Sequence, residues 1–206
     1  MRKDKNATLT YEKVFELTQN KGFKRIIDIG CGNTKLLKKI KNKKNELFQN
    51  EVIYTGAGFD IPKTHKDIEI ITNLDFNKDN WATNINNHYD FILILDVIEH
   101  LENPFSFLRQ IKSIAAKECK VLISIPNIQS YRSRIRFLFT GRPSSFFPKE
   151  FLYSSTQNFD YHIWLPALEL VKYFLRCSEF KLEKLHHIYG RNILTSHTLL
   201  LETSLN

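Results

Sequence analysis

Cysteine is scarce: Cys31, Cys119 and Cys177 are the only three in 206 residues, and they lie far apart. There is no Cys-x-x-Cys pair and no even set, which argues against a disulfide framework and predicts reduced thiols in a cytoplasmic protein. Also lacking is any apolar run near the roughly 20 residues that span a bilayer, so no transmembrane helix is expected. The N-terminus, Met1-Arg2-Lys3-Asp4-Lys5-Asn6, is charged with no apolar stretch behind it, and no signal peptide is read there. Internal repeats and low-complexity tracts are missing too.

What remains is an ordinary globular composition, 42% hydrophobic and 25% charged, in a chain long enough for one well-filled domain. The net charge of +8 and pI of about 9.3 suit a partner of opposite sign: nucleic acid, anionic lipid or an acidic small substrate. Lys35, Lys38, Lys39, Lys41, Lys43 and Lys44 crowd one helical segment, where the plain reading is a solvated face. Arg132, Arg134, Arg136 and Arg142 crowd a second segment, SYRSRIRFLFTGRP.

The stretch RIIDIGCGNTKLL, residues 25 to 37, sets the frame. Its β-branched start reads as a buried strand, Gly30 and Gly32 break it, and Leu36, Leu37 and Ile40 follow at helical spacing. Further strands are expected at 26–29, 52–54 or 58–60, 68–71, 91–95 and 121–125, with a leading helix over 9–18. NPFSFLRQIKSIAAK predicts a helix with Asn103 as N-cap and Pro104 at the first helical position. LPALELVKYFLRCSEF predicts another, and two strand-like runs joined by Gly190-Arg191-Asn192 predict a closing hairpin at the sheet edge. Strands alternating with helices imply an α/β domain, a parallel sheet covered on both faces. Residues 127–163 show weak periodicity over too long a stretch for a connector and are read as a partly helical lid.

The ordered motifs resemble those of class I S-adenosylmethionine-dependent methyltransferases over roughly residues 23–203. The carriers are Asp28-Ile29-Gly30-Cys31-Gly32, then GFDI (58–61), NLDF (73–76), YDFILILDVIEHLENP (89–104) and VLISIPN (121–127). The resemblance implies a Rossmann-like, doubly wound, seven-stranded and mostly parallel sheet with an antiparallel C-terminal hairpin. It implies one domain over 1–206, with 1–22 as an N-terminal helical cap and 127–163 as the lid after strand 5. The cofactor residues it implies are Asp28, Gly30, Cys31, Gly32, Asp60, Ile61, Asp75, Phe76 and Leu95. Asp28 would hold the amino-acid end of the cofactor, Asp60 the two ribose hydroxyls and Asp75 with Phe76 the adenine; a carboxylate can accept both hydroxyls at once. Asp75 also reads as a turn residue before Asn77. The family pattern has a third glycine where this chain has Thr34, a departure that motivates a non-catalytic binding or scaffold reading. A nicotinamide-dependent dehydrogenase fits poorly, since its Gly-x-Gly-x-x-Gly spacing is not met.

Asp96, Glu99 and His100 stand at i, i+3 and i+4, on one face if a helix starts there. Ubiquinone-biosynthesis O-methyltransferases and small-RNA 2′-O-methyltransferases resemble this run and add a later histidine, here His162, to hold a divalent cation. That likeness implies Asp96, Glu99, His100 and His162 around Mg, Mn or Zn, which would acidify an acceptor hydroxyl. Without metal, His100 or His162 is the candidate general base. The expected reaction is methyl transfer to the hydroxyl oxygen of a small acceptor of quinone, sugar or cell-surface precursor type. RNA 2′-O-methylation is the alternative. The arginines and aromatics of the lid, Phe146 and Phe147 among them, leave three partners open: a small acidic acceptor, a membrane surface or RNA.

Overall fold

The computed structural model describes residues 2–19, 22–47, 52–62, 67–143 and 162–205. The first helix is α1 (Arg2–Gln19), followed by β1 (Arg25–Ile29), α2 (Lys35–Leu47), β2 (Ile53–Ala57) and β3 (Glu69–Ile71). Then come β4 (Tyr89–Leu95), α3 (Pro104–Ile114), β5 (Ala115–Pro126), α4 (Tyr131–Thr140), α5 (Leu168–Cys177), β6 (Phe180–Ile188) and β7 (Thr198–Leu205). The seven strands form one sheet in the order β3-β2-β1-β4-β5-β7-β6. Neighbours among β1 to β5 are parallel, and β7 runs antiparallel to both β5 and β6.

Alternation along the strands divides the core in two. Ile26, Phe91, Leu93, Leu122 and Leu200 pack with Val14 of α1 and Leu36, Leu37 and Ile40 of α2. Ile27, Ile29, Ile92, Ile94, Val121 and Ile123 face the other way, onto Phe107, Leu108 and Ile111 of α3 and Val171, Phe174 and Leu175 of α5. Strands greasy on both sides are what a sheet covered on both faces requires. Burying each such side chain stabilises the fold by roughly 1.5–3 kcal/mol relative to exposure. The lysines of α2 whose side chains are described, Lys35 to Lys43, are exposed or half-buried, as the solvated-face reading expects. The carboxylate of Asp90 ties the start of β1 to β4 by accepting the backbone N–H groups of Lys24 and Arg25 at 2.8 and 3.0 Å.

Several boundaries differ from expectation. Helix α1 starts at Arg2 rather than residue 9, because Arg, Lys and Ala favour helix without leaving an apolar period to read. Helix α3 stops at Ile114, and Ala115 to Lys117 instead begin β5, with Ala115 paired to Tyr89. Sheet pairing there overrides the helix preference of alanine. The second strand is 53–57, and 58–60 is a bend after it. The C-terminal hairpin forms, but its connection runs over 189–197 rather than a tight Gly190-Arg191-Asn192 turn, and β7 lies inside β6. Of the expected lid, α4 is a helix, while 144–161, with Phe146 and Phe147, lie outside the described residues.

The β6–β7 loop is held from the end of β5. The buried Asn127 amide donates to the carbonyls of Ile193 and Ser196 at 2.7 and 2.9 Å and to the Ser196 hydroxyl at 3.0 Å. Alanine there leaves buried acceptors unsatisfied. Asn127→Ala is expected to lose about 2–4 kcal/mol in urea unfolding with an unchanged m-value.

Candidate active site

After β1 the chain must reverse within a few residues. Gly30 adopts φ +78° and Gly32 φ +50°, both in the left-handed region. The Gly30 and Cys31 N–H groups both point at the Ala57 carbonyl, at 2.8 and 3.4 Å, which joins the ends of β1 and β2. A Cβ at Gly30 would come within 2.6 Å of Val97 Cγ2, so that position needs glycine twice over. Thr34, at φ 59°, takes a conformation costly for a β-branched residue. Its carbonyl accepts the Lys38 N–H at 3.1 Å, which opens α2, while its hydroxyl donates to Asn33 at 2.7 Å rather than capping the helix. Its methyl points at Gly56 of β2. Thr34 is buried and does not line the cavity described below.

Chain direction diverges at β1, with β2 on one side and β4 on the other, and an open α/β sheet receives ligands at such a point. A cavity of about 300 Å³ lies there. Gly30 and Gly32 supply one wall, Gly58, Phe59, Asp60 and Ile61 the next, Leu74 to Asn77 a third, and Asp96, Val97, His100 and Leu101 the fourth. Six of the nine residues expected around a cofactor thus meet in one space: Gly30, Gly32, Asp60, Ile61, Asp75 and Phe76. Asp28, Cys31 and Leu95 do not line it. Asp28 is buried at the end of β1, Cys31 turns its sulfur toward Gly56, and Leu95 packs on the α1 and α2 side. Gly58, Phe59, Leu74, Val97 and Leu101, which lie inside the ordered motifs, and Asn77, which adjoins one, also line it without having been singled out. Asp75 lines the cavity and also makes the expected turn, its Oδ1 accepting the Asn77 N–H at 3.0 Å. Phe76 is edge-on to Trp81 and Phe107 at 5.0 and 5.8 Å, so the core fixes its ring.

Beyond Asp96 the chain forms only a single 3₁₀ turn, Ile98–His100. The expected shared helical face is therefore absent. Asp96 sits at φ 53° with its N–H on Ser124 Oγ at 2.9 Å, and the Ser124 hydroxyl returns a 2.6 Å bond to its carboxylate. Three groups do converge: ligand atoms of Glu99, His100 and His162 all lie within 4.8 Å of one another. His162 Nε2 is 3.9 Å from Glu99 Oε1, and the two imidazoles meet edge to face at 4.9 Å. Distant in sequence, His162 is brought in by its successors. The Ile163 N–H donates to the Glu99 carbonyl at 3.0 Å, and the Trp164 indole donates to the carbonyls of Ile98 and Leu101 at 3.1 and 3.0 Å. No sequence signal marks Trp164 for this task.

The site gathers buried acids. Burial pushes the Asp28 carboxyl up to about 7. Burial and then the charge of Asp96 raise Glu99 well above the usual carboxylate range, and Glu99 Oε2 finds no hydrogen bond among the described residues. Crowding by protein atoms raises Asp96 as well, against the pull of the Ser124 bond. Tyr11 of α1 was not foreseen here. Burial, then the charges of Asp28 and Asp96, hold its hydroxyl above the usual range. Cys31 is pushed up to about 12, mainly by burial, and is no nucleophile.

The Asp28 shift fixes a sign. Its folded form prefers the proton, so its contribution to stability falls as pH rises from about 4 toward about 7. Asp28→Asn, a permanent mimic of the protonated acid, is expected to stabilise the empty protein near pH 8 by up to about 4 kcal/mol. The gain is expected to vanish toward pH 4, as read by calorimetric unfolding at the two pH values.

Comparison with known proteins bears on this geometry. The family model described as "Methyltransferase domain" matches residues 2–189. No curated protein sequence matches the chain. Among solved structures, magnesium protoporphyrin IX methyltransferase from Synechocystis PCC 6803, with bound SAH, superposes with a TM-score of 0.65 at 13% identity, over 98% of this chain and 84% of that one. A SAM-dependent methyltransferase from Archaeoglobus fulgidus gives 0.62 at 17% identity, over 99% and 94%. A plantazolicin methyltransferase in complex with a triazolic desmethylPZN analog and SAH gives 0.59 at 20%, over 98% and 85%. With that family match, this strand order and the glycine turn beneath the cavity, the chain belongs to the S-adenosylmethionine-dependent class I methyltransferases.

Proposed function

We propose that the cavity between β1 and β4 binds S-adenosylmethionine and that the methyl passes to a hydroxyl oxygen of a small acceptor, of quinone, sugar or cell-surface precursor type. The observation that carries this reading is the meeting of Gly30, Gly32, Asp60, Ile61, Asp75 and Phe76 in one space, with Glu99, His100 and His162 grouped at its edge. S-adenosylmethionine, when bound, supplies a methyl already activated on a sulfonium.

The chain's own residues then have positioning and proton-handling roles. Gly30 and Gly32 let the backbone approach the donor closely. The exposed Asp60 carboxylate accepts the ribose hydroxyls. Asp75 and Phe76 bound the adenine, with the Phe76 ring held by Trp81 and Phe107. Asp28, beneath the turn, favours the positive amino group of the donor. His100, which lines the cavity, is placed to take the acceptor's proton, and His162 supports it across the edge-to-face contact.

The same groups fit a divalent cation such as Mg, Mn or Zn. A buried carboxylate with an unfilled oxygen and two adjacent imidazoles is a mixed O/N donor set. Glu99, His100 and His162 would hold the ion, and Asp96, occupied by Ser124, stands beside them. The ion would supply Lewis acidity to an acceptor hydroxyl.

Titration calorimetry with S-adenosylmethionine tests the reading. The intact chain is expected to bind, and Asp60→Ala, at an exposed position, to lose roughly tenfold or more in affinity with an unchanged unfolding midpoint. Absence of binding by the intact chain overturns the assignment. Manganese titration of Glu99→Gln is expected to abolish ion binding seen in the parent. Screening of hydroxylated acceptors, with the labelled methyl located by mass spectrometry, checks that oxygen receives it.

A further inference from the structure

The polarity of α4 is reversed. Ser133 is its one buried side chain, whereas Tyr131, Ile135, Leu138 and Phe139 are 44, 52, 77 and 80% exposed. Their i, i+4, i+7, i+8 spacing is that with which a surface helix ordinarily meets its core. At about 100° per residue these four fill an arc of roughly 100°. Arg132 and Arg134 border that arc on its two sides, and Arg136 follows Arg132 around the polar flank.

The helix is firmly built all the same. Ser130 Oγ caps it by accepting the Ser133 N–H at 3.3 Å, and Gly141 closes it in the left-handed conformation. The Tyr131 N–H donates to the Leu194 carbonyl at 2.9 Å, which joins α4 to the β6–β7 loop. Leu194 is itself 45% exposed, so the apolar stripe continues onto that loop. Across 126–143 and 189–197 there are five arginines, Arg132, Arg134, Arg136, Arg142 and Arg191, and no Asp or Glu. Single exposed apolar residues are ordinary, but a stripe bordered by like charges marks an interaction surface.

We propose that α4 and the β6–β7 loop dock on an anionic lipid surface. Ile135, Leu138, Phe139 and Leu194 enter the boundary between headgroups and acyl chains, and the arginines engage lipid phosphates. The acid-free surroundings favour a polyanion. The aliphatic share of the stripe favours acyl chains over stacked bases, because Ile135, Leu138 and Leu194 have no ring to offer. The geometry is productive as well. Pro126 pairs with Thr198 at the end of the sheet where the β1–β4 cavity opens, so docking turns that edge toward the bilayer. The surface stands independently of the reaction proposed above.

Vesicle flotation tests this. The intact chain is expected to float with vesicles of phosphatidylcholine and phosphatidylglycerol, not with phosphatidylcholine alone, and to be released by added salt. Leu138→Ser combined with Phe139→Ser is expected to weaken binding at least tenfold. Arg134→Gln combined with Arg136→Gln is expected to weaken it about fivefold per arginine. Unfolding midpoints establish that both variants are folded, and if the serine pair unfolds, the exposed arginine pair carries the test. The proposal is overturned if the intact chain ignores phosphatidylglycerol vesicles or if folded variants bind like the parent. It is equally overturned if single-stranded RNA binds while vesicles do not, or if sedimentation shows a dimer that the serine pair dissolves.

Discussion

The site depends on one carbonyl. Ala57, the last residue of β2, receives the N–H groups of both Gly30 and Cys31, and this shared bond turns the chain out of β1. The turn is possible only because Gly30 tolerates both a positive φ and the approach of Val97. From it follow the gap between the ends of β1 and β4, the start of α2 just after Thr34, and the exposure of backbone to the cavity. The loops after β2, β3 and β4 then have only to lean over an opening that the turn has made.

Electrostatics gives this opening its character. The chain as a whole carries +8, yet Asp28, Asp96 and Glu99 gather at one end of the sheet, each held above its ordinary carboxylate range chiefly by protein surroundings. Bringing acids together in a poorly solvated place costs free energy, and such perturbed groups mark functional sites. A sulfonium, an ammonium or a divalent ion would each relieve that cost. The neighbouring surface is basic, with arginines around α4, so the molecule separates an acid-lined interior from a positive rim.

Much of this was legible in the sequence because the strands are short, β-branched and greasy, and because glycine has few other uses directly after a strand. Asp60, Asp75 and Phe76 were found through motifs at strand ends, where the topology forces convergence. Other features had no local signal. Ala115 to Lys117 continue a helical composition, yet they begin β5, with Ala115 paired to Tyr89 of β4. His162 reaches Glu99 because Trp164 bonds the carbonyls of Ile98 and Leu101, in and just after the 3₁₀ turn, a long-range arrangement that spacing does not encode. Tyr11, whose hydroxyl feels the charges of Asp28 and Asp96, stands on a helix whose pattern announces only its amphipathic face. Asp96 stands beside the Glu99, His100 and His162 group with one carboxylate oxygen on the Ser124 hydroxyl of the neighbouring strand, a pairing with no local signal.

The buried carboxyl of Asp28 would couple the donor proposed above to the solvent's proton reservoir. Burial holds the group above its ordinary range, and a positive amino group bound near it would favour the charged form. Donor binding would then release hydrogen ion, its heat varying with the ionisation enthalpy of the buffer and its affinity climbing as the medium turns alkaline.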